Sequence, residues 1–390
     1  MKGNLLVAHG GGPTAVINAS LYGVISEAKK HSAIENIYGA RYGIEGVINE
    51  EFIDLSKQNA RNIELLPHTP ASAIGSCRYK ISDEDYNKLL EVFKKYNIRY
   101  FFYNGGNDSM DTCNKVAKLA DSSNYEMKVI GIPKTIDNDL TNTDHCPGFG
   151  SAARYAAVSA MELKFEAEAL PIHVIVFEIM GRNAGWLAAS AMLGGADLIY
   201  LPERPFEENK FLADVENLHK RKKGILVAVS EGLVDESGKS LADTGFKDNF
   251  GHTVPGGVAQ HLSDSIIRNT GIKSRAEKPG LLGRASIALQ SAVDRKEAIE
   301  VGKRAVIAAI KGESAKMVSI KRASNNPYIA DYALVPLKDA ANAERKFPID
   351  WINENGNGIK KEFSEYCLPL IGGALPEYAR LDNTLITKER

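Results

Sequence analysis

At 390 residues the chain is long for one domain and comfortable for two, with 44% hydrophobic residues to fill sizeable cores. Its 48 Lys and Arg against 49 Asp and Glu leave a formal net charge of -1, which excludes bulk attraction to nucleic acid or an anionic membrane. The four cysteines (Cys77, Cys113, Cys146, Cys367) lack C-x-x-C spacing and read as reduced thiols of a cytoplasmic protein, not as zinc ligands. The N-terminal apolar run of residues 5–8 is too short for a signal peptide, and no stretch approaches the roughly 20 apolar residues of a membrane span.

Strand-like and helix-like runs alternate from the start. Residues 4–9 predict a strand, 14–30 a helix with Val16, Leu21, Val24 and Ile25 apolar, and 37–39 a strand, followed by a loop-rich region over 43–80. A helix over 83–96, a strand over 100–103, a helix over 109–119 and a strand over 127–132 complete a first unit. This rhythm argues for an α/β fold with a right-handed, mostly parallel sheet covered on both faces. A second round follows: a helix over 151–169, strands over 174–177, 198–201 and 225–229, and helices through Trp186-Leu187 and over 209–220. A helix over 295–311 is expected to return to the first unit, and the segment beyond Met317 mixes short elements whose placement the pattern leaves open.

The most telling stretch is Pro133-Lys134-Thr135-Ile136-Asp137-Asn138-Asp139-Leu140, directly after a buried strand. The C-terminal ends of strands are where open α/β sheets bind ligands. Two carboxylates two residues apart, one lysine away, are costly to hold together and suit proton abstraction beside a phosphoryl group. Gly10-Gly11-Gly12 also closes a strand before a helix, where glycines and helix N–H groups admit phosphate, though a tight turn explains three glycines equally well. Neither a P-loop nor a G-x-G-x-x-G fingerprint is present there. Gly105-Gly106-Asn107-Asp108-Ser109 repeats the arrangement, with Ser109 also readable as an N-cap. Met180-Gly181-Arg182 places an arginine at a strand end, as an anion fork or as a surface residue.

Taken in order, Gly11-Gly12, Gly75-Ser76-Cys77-Arg78, Gly105 to Ser109, Pro133 to Leu140, Met180-Gly181-Arg182, Pro202-Glu203, Ser230-Glu231-Gly232 and the region 275–295 resemble the phosphofructokinase superfamily. The likeness is to its A-type fold, shared by ATP- and pyrophosphate-dependent enzymes, and runs over about three quarters of the chain. It implies two Rossmann-like three-layer αβα units. Residues 1–142 with about 286–316 would bind pyrophosphate and Mg²⁺, 143–285 would bind sugar phosphate, and 317–390 would pack on both. By the same resemblance Asp137 would be the general base, with Thr135, Asp139, Lys134 and Arg182 completing the catalytic set. Gly11, Gly12, Arg78, Asp108, Ser109 and Lys134 would hold the donor. Thr135, Ile136, Asp137, Met180, Gly181, Arg182, Glu231, Arg275, Leu281 and Arg284 would hold fructose 6-phosphate, Arg275 reaching over from a neighbouring subunit. Asn107 and Asp108 would hold Mg²⁺.

Family members that use ATP commonly carry glycine where this chain has Asp108 and Lys134. An aspartate there opposes a nucleotide's α-phosphate by clash and like charge, and a lysine suits a short, highly charged donor. The resemblance therefore points to pyrophosphate as donor, with a homodimer or homotetramer in the cytoplasm as the working form. Three positions depart from the family pattern: Asn107 replaces a metal-binding aspartate, His173 a basic residue at the subunit interface, and Leu281 a His or Tyr at the sugar. The last two also admit another acceptor, such as sedoheptulose 7-phosphate or a polyol. Asn107 admits a non-catalytic, sugar-phosphate-binding regulatory paralogue.

Overall fold

The computed structural model describes residues 1–381 apart from 171, 242, 248–252, 256 and 342. In the first unit, β1 (Gly3–His9), α1 (Ile17–Ala28), β2 (Ile34–Ala40), α2 (Gly43–Ile48), β3 (Phe52–Asp54) and α3 (Ala60–Leu65) are followed by α4 (Asp83–Lys95), β4 (Ile98–Gly105), α5 (Asn107–Ser122) and β5 (Lys128–Pro133). The β1 and β4 side chains are buried almost throughout, as expected for parallel strands covered on both faces. A Ser82–Asp85 capping box starts α4, satisfying donors that the first helical turn leaves open. The region 43–80, expected as loops, holds two short helices and an antiparallel edge strand; elements of three to six residues are too brief to show a period.

The second unit runs through α6 (Phe149–Ala169), β6 (Val174–Ile179), α7 (Trp186–Ala189), β7 (Leu198–Tyr200), α8 (Glu208–His219) and β8 (Ile225–Ser230). A short antiparallel pair, β9 (Asp243–Lys247) and β10 (Thr253–Pro255), precedes α9 (Val258–Thr270), β11 (Ser274–Glu277) and α10 (Leu282–Ala285). The chain then passes through α11 (Ala292–Ile310), β12 (Lys316–Asn325), β13 (Tyr328–Pro336), α12 (Leu337–Ala340) and α13 (Lys361–Cys367).

Two main sheets result, one seven-stranded in the order β13-β12-β5-β4-β1-β2-β3 and one four-stranded in the order β11-β6-β8-β7. In the first, the chain leaves β1 toward β2 on one side and returns to β4 on the other. The resulting switch point opens a crevice at the C-terminal ends of β1 and β4, where Gly10 to Gly12 and Gly105 to Asn107 stand. Helix α11 comes back against α1, and two glycines set the distance. A Cβ on Gly23 would stand 2.1 Å from the Ile299 carbonyl oxygen, and one on Gly302 would stand 2.2 Å from that of Ser20.

The segment from residue 317, expected as an extension laid over both units, begins inside the first sheet. β12 pairs with β5 in parallel and with β13 in antiparallel fashion, extending that sheet by two strands. Past α12 the chain crosses to the second unit, where Phe347, Phe363, Tyr366, Leu370 and Ile371 are buried against α6 and β6. Among the described residues no helix is long and apolar enough to cross a membrane.

Candidate active site

The floor of the crevice is made of glycine backbone. Gly11 has φ 74, a left-handed conformation that costs glycine nothing, and a Cβ on Gly12 would stand 2.6 Å from Arg284 Nη1. Lys134, buried at the end of β5, reaches across and donates from Nζ to the Gly12 carbonyl oxygen at 2.9 Å. Burial, with the Arg284 and Arg78 charges adding to it and Asp137 and Asp139 opposing it, pulls the Lys134 ammonium down to about 8. Below it lies His9, whose Nδ1 meets Ser72 Oγ at 2.7 Å; burial and the Lys134 charge hold its ring neutral, with a pKa of about 3. Ser109 is buried, and its Oγ lies where a Cβ on Gly10 or Gly105 would fall, so it packs into the floor of the crevice. Asp108 and Arg78 are exposed.

The loop after Lys134 brings both carboxylates to the same crevice. Thr135 Oγ1 accepts from the Asp137 N–H at 3.1 Å, and between the two acids Asn138 takes φ 55. Burial, then the charges of Asp139 and Glu231, push the Asp137 carboxyl up to about 7. That value suits a group that must take a proton near neutrality. Burial also raises Asp139 above the usual carboxylate range. Ile136 is buried in the core of the second unit.

The second unit supplies the other wall. Met180-Gly181-Arg182 follows β6, and Gly181 donates to Glu231 Oε1 at 3.4 Å while its carbonyl accepts from Ser230 Oγ. Arg284, on α10, feels the charges of Arg78, Glu231 and Asp137 together, so residues of both units face one space. Arg182 is exposed, and Leu281 and Leu282 are 65% and 63% exposed. Two candidates stand elsewhere in this chain. His173 precedes β6 and Arg275 pairs with Ile175, so both sit at the N-terminal end of the second sheet, about 20 Å of strand from Met180. The His173 ring meets His219 there at 4.9 Å.

Asn107 Nδ2 donates to Asp139 Oδ2 at 2.9 Å, which aligns the two side chains. Asn107 Oδ1 and Asp139 Oδ1 are both buried without a hydrogen-bond partner. Two orphaned oxygens, one of them anionic, fit a hard cation that draws its remaining ligands from water and substrate phosphate. Among the described residues no group of three or more His, Cys, Asp or Glu stands together as a metal cluster.

The sequence pattern gives no sign of the segment 344–347. Glu344 bridges to Leu140, the Arg345 N–H donates to the Asp139 carbonyl at 2.7 Å, and Phe347 N–H donates to Glu203 Oε1 at 2.9 Å. Glu203 is legible in the sequence only as part of a motif, yet the same oxygen accepts from Gly185, tying this segment to the start of α7. No spacing or residue type marks 344–347 as functional; only the fold brings it to a loop some 200 residues earlier.

Glycine backbone, a buried ammonium and a carboxyl lifted toward neutrality meet at one crevice of a doubly wound α/β frame, an arrangement suited to phosphoryl transfer. A family profile described as phosphofructokinase matches residues 4–309, and the chain belongs to that family. It is 43% identical, over 100% of its length and 98% of the relative's, to a pyrophosphate–fructose 6-phosphate 1-phosphotransferase of Xanthomonas campestris pv. campestris. A sulfofructose kinase of Alkalicoccus urumqiensis is 34% identical over 92% of this chain and 93% of its own. The crystal structure of a pyrophosphate-dependent phosphofructokinase from Marinobacter aquaeolei superposes with a TM-score of 0.87 at 40% identity, covering 100% of this chain and 98% of that one.

Proposed function

We propose that this chain is a reversible, pyrophosphate-dependent 6-phosphofructokinase acting in glycolysis and gluconeogenesis in the cytoplasm. The observation that carries the donor assignment is Lys134, buried on the Gly12 carbonyl with Asp108 opening α5 beside it, in a chain that matches pyrophosphate-using relatives end to end. Asp137 takes the proton from the sugar's 1-hydroxyl as that oxygen bonds to the transferred phosphorus. The bridging P–O bond to the transferred phosphorus breaks, and the other half of the donor leaves as orthophosphate. Lys134 and Arg78 spread positive charge over the donor oxygens, and Arg284, expected from the sequence at the sugar, stands close enough to Gly12 to add to it, where phosphoryl transfer needs chiefly placement and neutralisation. Met180-Gly181-Arg182 and Glu231 orient the sugar. Asn107 and Asp139, in place of the Asn107 and Asp108 pair expected from the sequence, would hold Mg²⁺ through the oxygens left unpaired, and the ion would further neutralise the donor phosphates. Asp108 excludes longer, nucleotide donors.

Arg275 and His173 stand too far from Arg182 in their own chain to share its substrate. Their placement supports a homo-oligomer, dimer or tetramer, in which they serve a neighbour's site. The exposed Leu281 and Leu282 support a second reading in which the acceptor is another phosphorylated ketose or a polyol. The name of the sulfofructose kinase relative gives that reading weight.

Initial rates with Mg²⁺ and fructose 6-phosphate, comparing pyrophosphate with ATP, test the assignment. Turnover with pyrophosphate and not ATP is the expected result; turnover with ATP alone overturns the donor. Turnover with pyrophosphate on sedoheptulose 7-phosphate alone favours the second reading.

A further inference from the structure

The residue between the two active-site carboxylates is held from three sides. Asn138 is fully buried at φ 55, a left-handed conformation that a non-glycine residue keeps only when its surroundings enforce it. Its Oδ1 accepts from the Cys146 N–H at 3.0 Å, and its Nδ2 donates to the Tyr366 hydroxyl at 2.8 Å. Its carbonyl, on the peptide bond to Asp139, is gripped by Arg345 through Nε at 3.2 Å and Nη2 at 2.9 Å. The same guanidinium donates to the Thr143 and Asp144 carbonyls and to the Tyr366 hydroxyl, so one planar fork closes the whole turn.

Arg345 is equally tied to the opposite wall. Its Cζ lies 4.4 Å from the centre of the Trp186 ring, and the Trp186 Nε1–H donates to its carbonyl at 3.1 Å. On either side of it, Glu344 accepts from Asn183 Nδ2 at 2.8 Å and Lys346 donates to the Asn183 carbonyl at 2.6 Å. Residues 344–346 thus touch the carboxylate loop and the Met180–Trp186 loop at once. These two loops come from different sheets, and a phosphoryl donor and a sugar hydroxyl brought by different walls react only if the walls are in register.

Resting on the function proposed above, we infer that Arg345 is a positioning residue that holds Asp137 and Asp139 at a fixed place relative to the Met180-Gly181-Arg182 loop. It touches neither substrate. Lysine lacks the fork that spans Asn138, Thr143 and Asp144, so R345K does not replace it.

The test compares the parent with R345K, R345A and Y366F. Misplacing a general base costs turnover more than binding, so R345A is expected to lower kcat about 100-fold, and R345K at least about tenfold, with both KM values within about twofold. Free guanidinium chloride below denaturing concentration should restore part of the R345A rate and leave the parent's rate unchanged. Y366F, which removes one hydroxyl from the same turn, should lower kcat by less and decides the matter if the Arg345 variants do not fold. Hydrogen exchange read on peptides spanning 135–146 needs no turnover. It should quicken in R345K and Y366F relative to the parent while the β1 and β4 peptides stay protected. Unchanged exchange there overturns the inference whatever the substrate, as do rates within twofold of the parent or KM rising in step with falling kcat. A parent inactive with pyrophosphate and every acceptor tried, yet showing the exchange difference, overturns the proposed function alone.

Discussion

Asn107 reaches Asp139 across 2.9 Å as a hydrogen-bond donor, a role that an aspartate at position 107 cannot fill while ionised. The amide keeps the pair in place without metal, at the expense of a weaker, uncharged cation ligand. N107D should therefore move both properties in opposite directions. Half-saturation by Mg²⁺ is expected at a several-fold lower concentration, because two carboxylates attract the ion more strongly. Without metal the like charges repel, so the melting temperature should drop and recover on adding Mg²⁺. A variant that needs as much Mg²⁺ as the parent would remove these two side chains from the metal site.

The donor assignment makes a sharper demand on Asp108 and Lys134. In the D108G/K134G double variant the buried cation on the Gly12 carbonyl is lost, together with the charge that opposes a nucleotide. Use of pyrophosphate should fall by about 100-fold in kcat/KM, equivalent to about 2.7 kcal/mol of transition-state stabilisation. Steady-state rates over a pyrophosphate series measure this, and unchanged kinetics refute the donor assignment.

Much of this site was legible because its residue types sit where strands end. Buried parallel strands read as apolar runs, so Lys134 to Asp139 was placed at a sheet edge from the sequence alone, as were Gly10 to Gly12. What stayed hidden depended on contacts distant in sequence. β12 finds its register against Ile130 and Gly131, nearly 190 residues earlier, and β13 is only half-buried along its length, which gives no strong apolar signal. Arg345 lies in a segment without periodicity, and its partners exist only after β12 and β13 have joined the first sheet. For His173 the sequence alone gives only a place seven residues before Met180; its expected place at a subunit interface came from the resemblance, and the fold sets it at the opposite end of β6 from Met180.

If Asp137 is the base and Lys134 steadies the donor, as proposed, two groups shifted toward each other should set the pH dependence of kcat/KM. Burial with Asp139 and Glu231 holds Asp137 up to about 7, and it must be ionised to accept a proton, so activity should fall below that pH. Burial brings Lys134 down to about 8, and it must be charged to steady the donor, so activity should fall above that pH. The result is a narrow bell whose limbs are macroscopic values of a coupled set. K134R, charged at every accessible pH, should keep the acid limb and lose the alkaline one, at a lower rate. An alkaline limb that persists in K134R assigns it to the substrates instead.

Away from the crevice, His145 is enclosed by two carboxylates, with Nε2 2.7 Å from Glu297 Oε2 and Nδ1 2.8 Å from Asp144 Oδ2. Tyr328 donates to Glu297, and Arg322 pairs with Asp144, so an imidazolium balances the group. Burial opposes its charge, but Glu297 and Asp144 outweigh that and hold His145 up to about 9. The folded-state value lies above the unfolded one of 6.5. The stability this adds is therefore complete below about pH 6.5 and is lost as pH rises through about 9. E297Q leaves the imidazolium with one carboxylate and should cost about 3 kcal/mol near pH 6.5, in the range for breaking a buried ion pair. The gap between parent and variant, read from urea denaturation midpoints, should then narrow steadily toward pH 10, because the parent loses the same proton. A gap that stays constant from pH 6 to 10 would show that His145 is neutral in the folded chain.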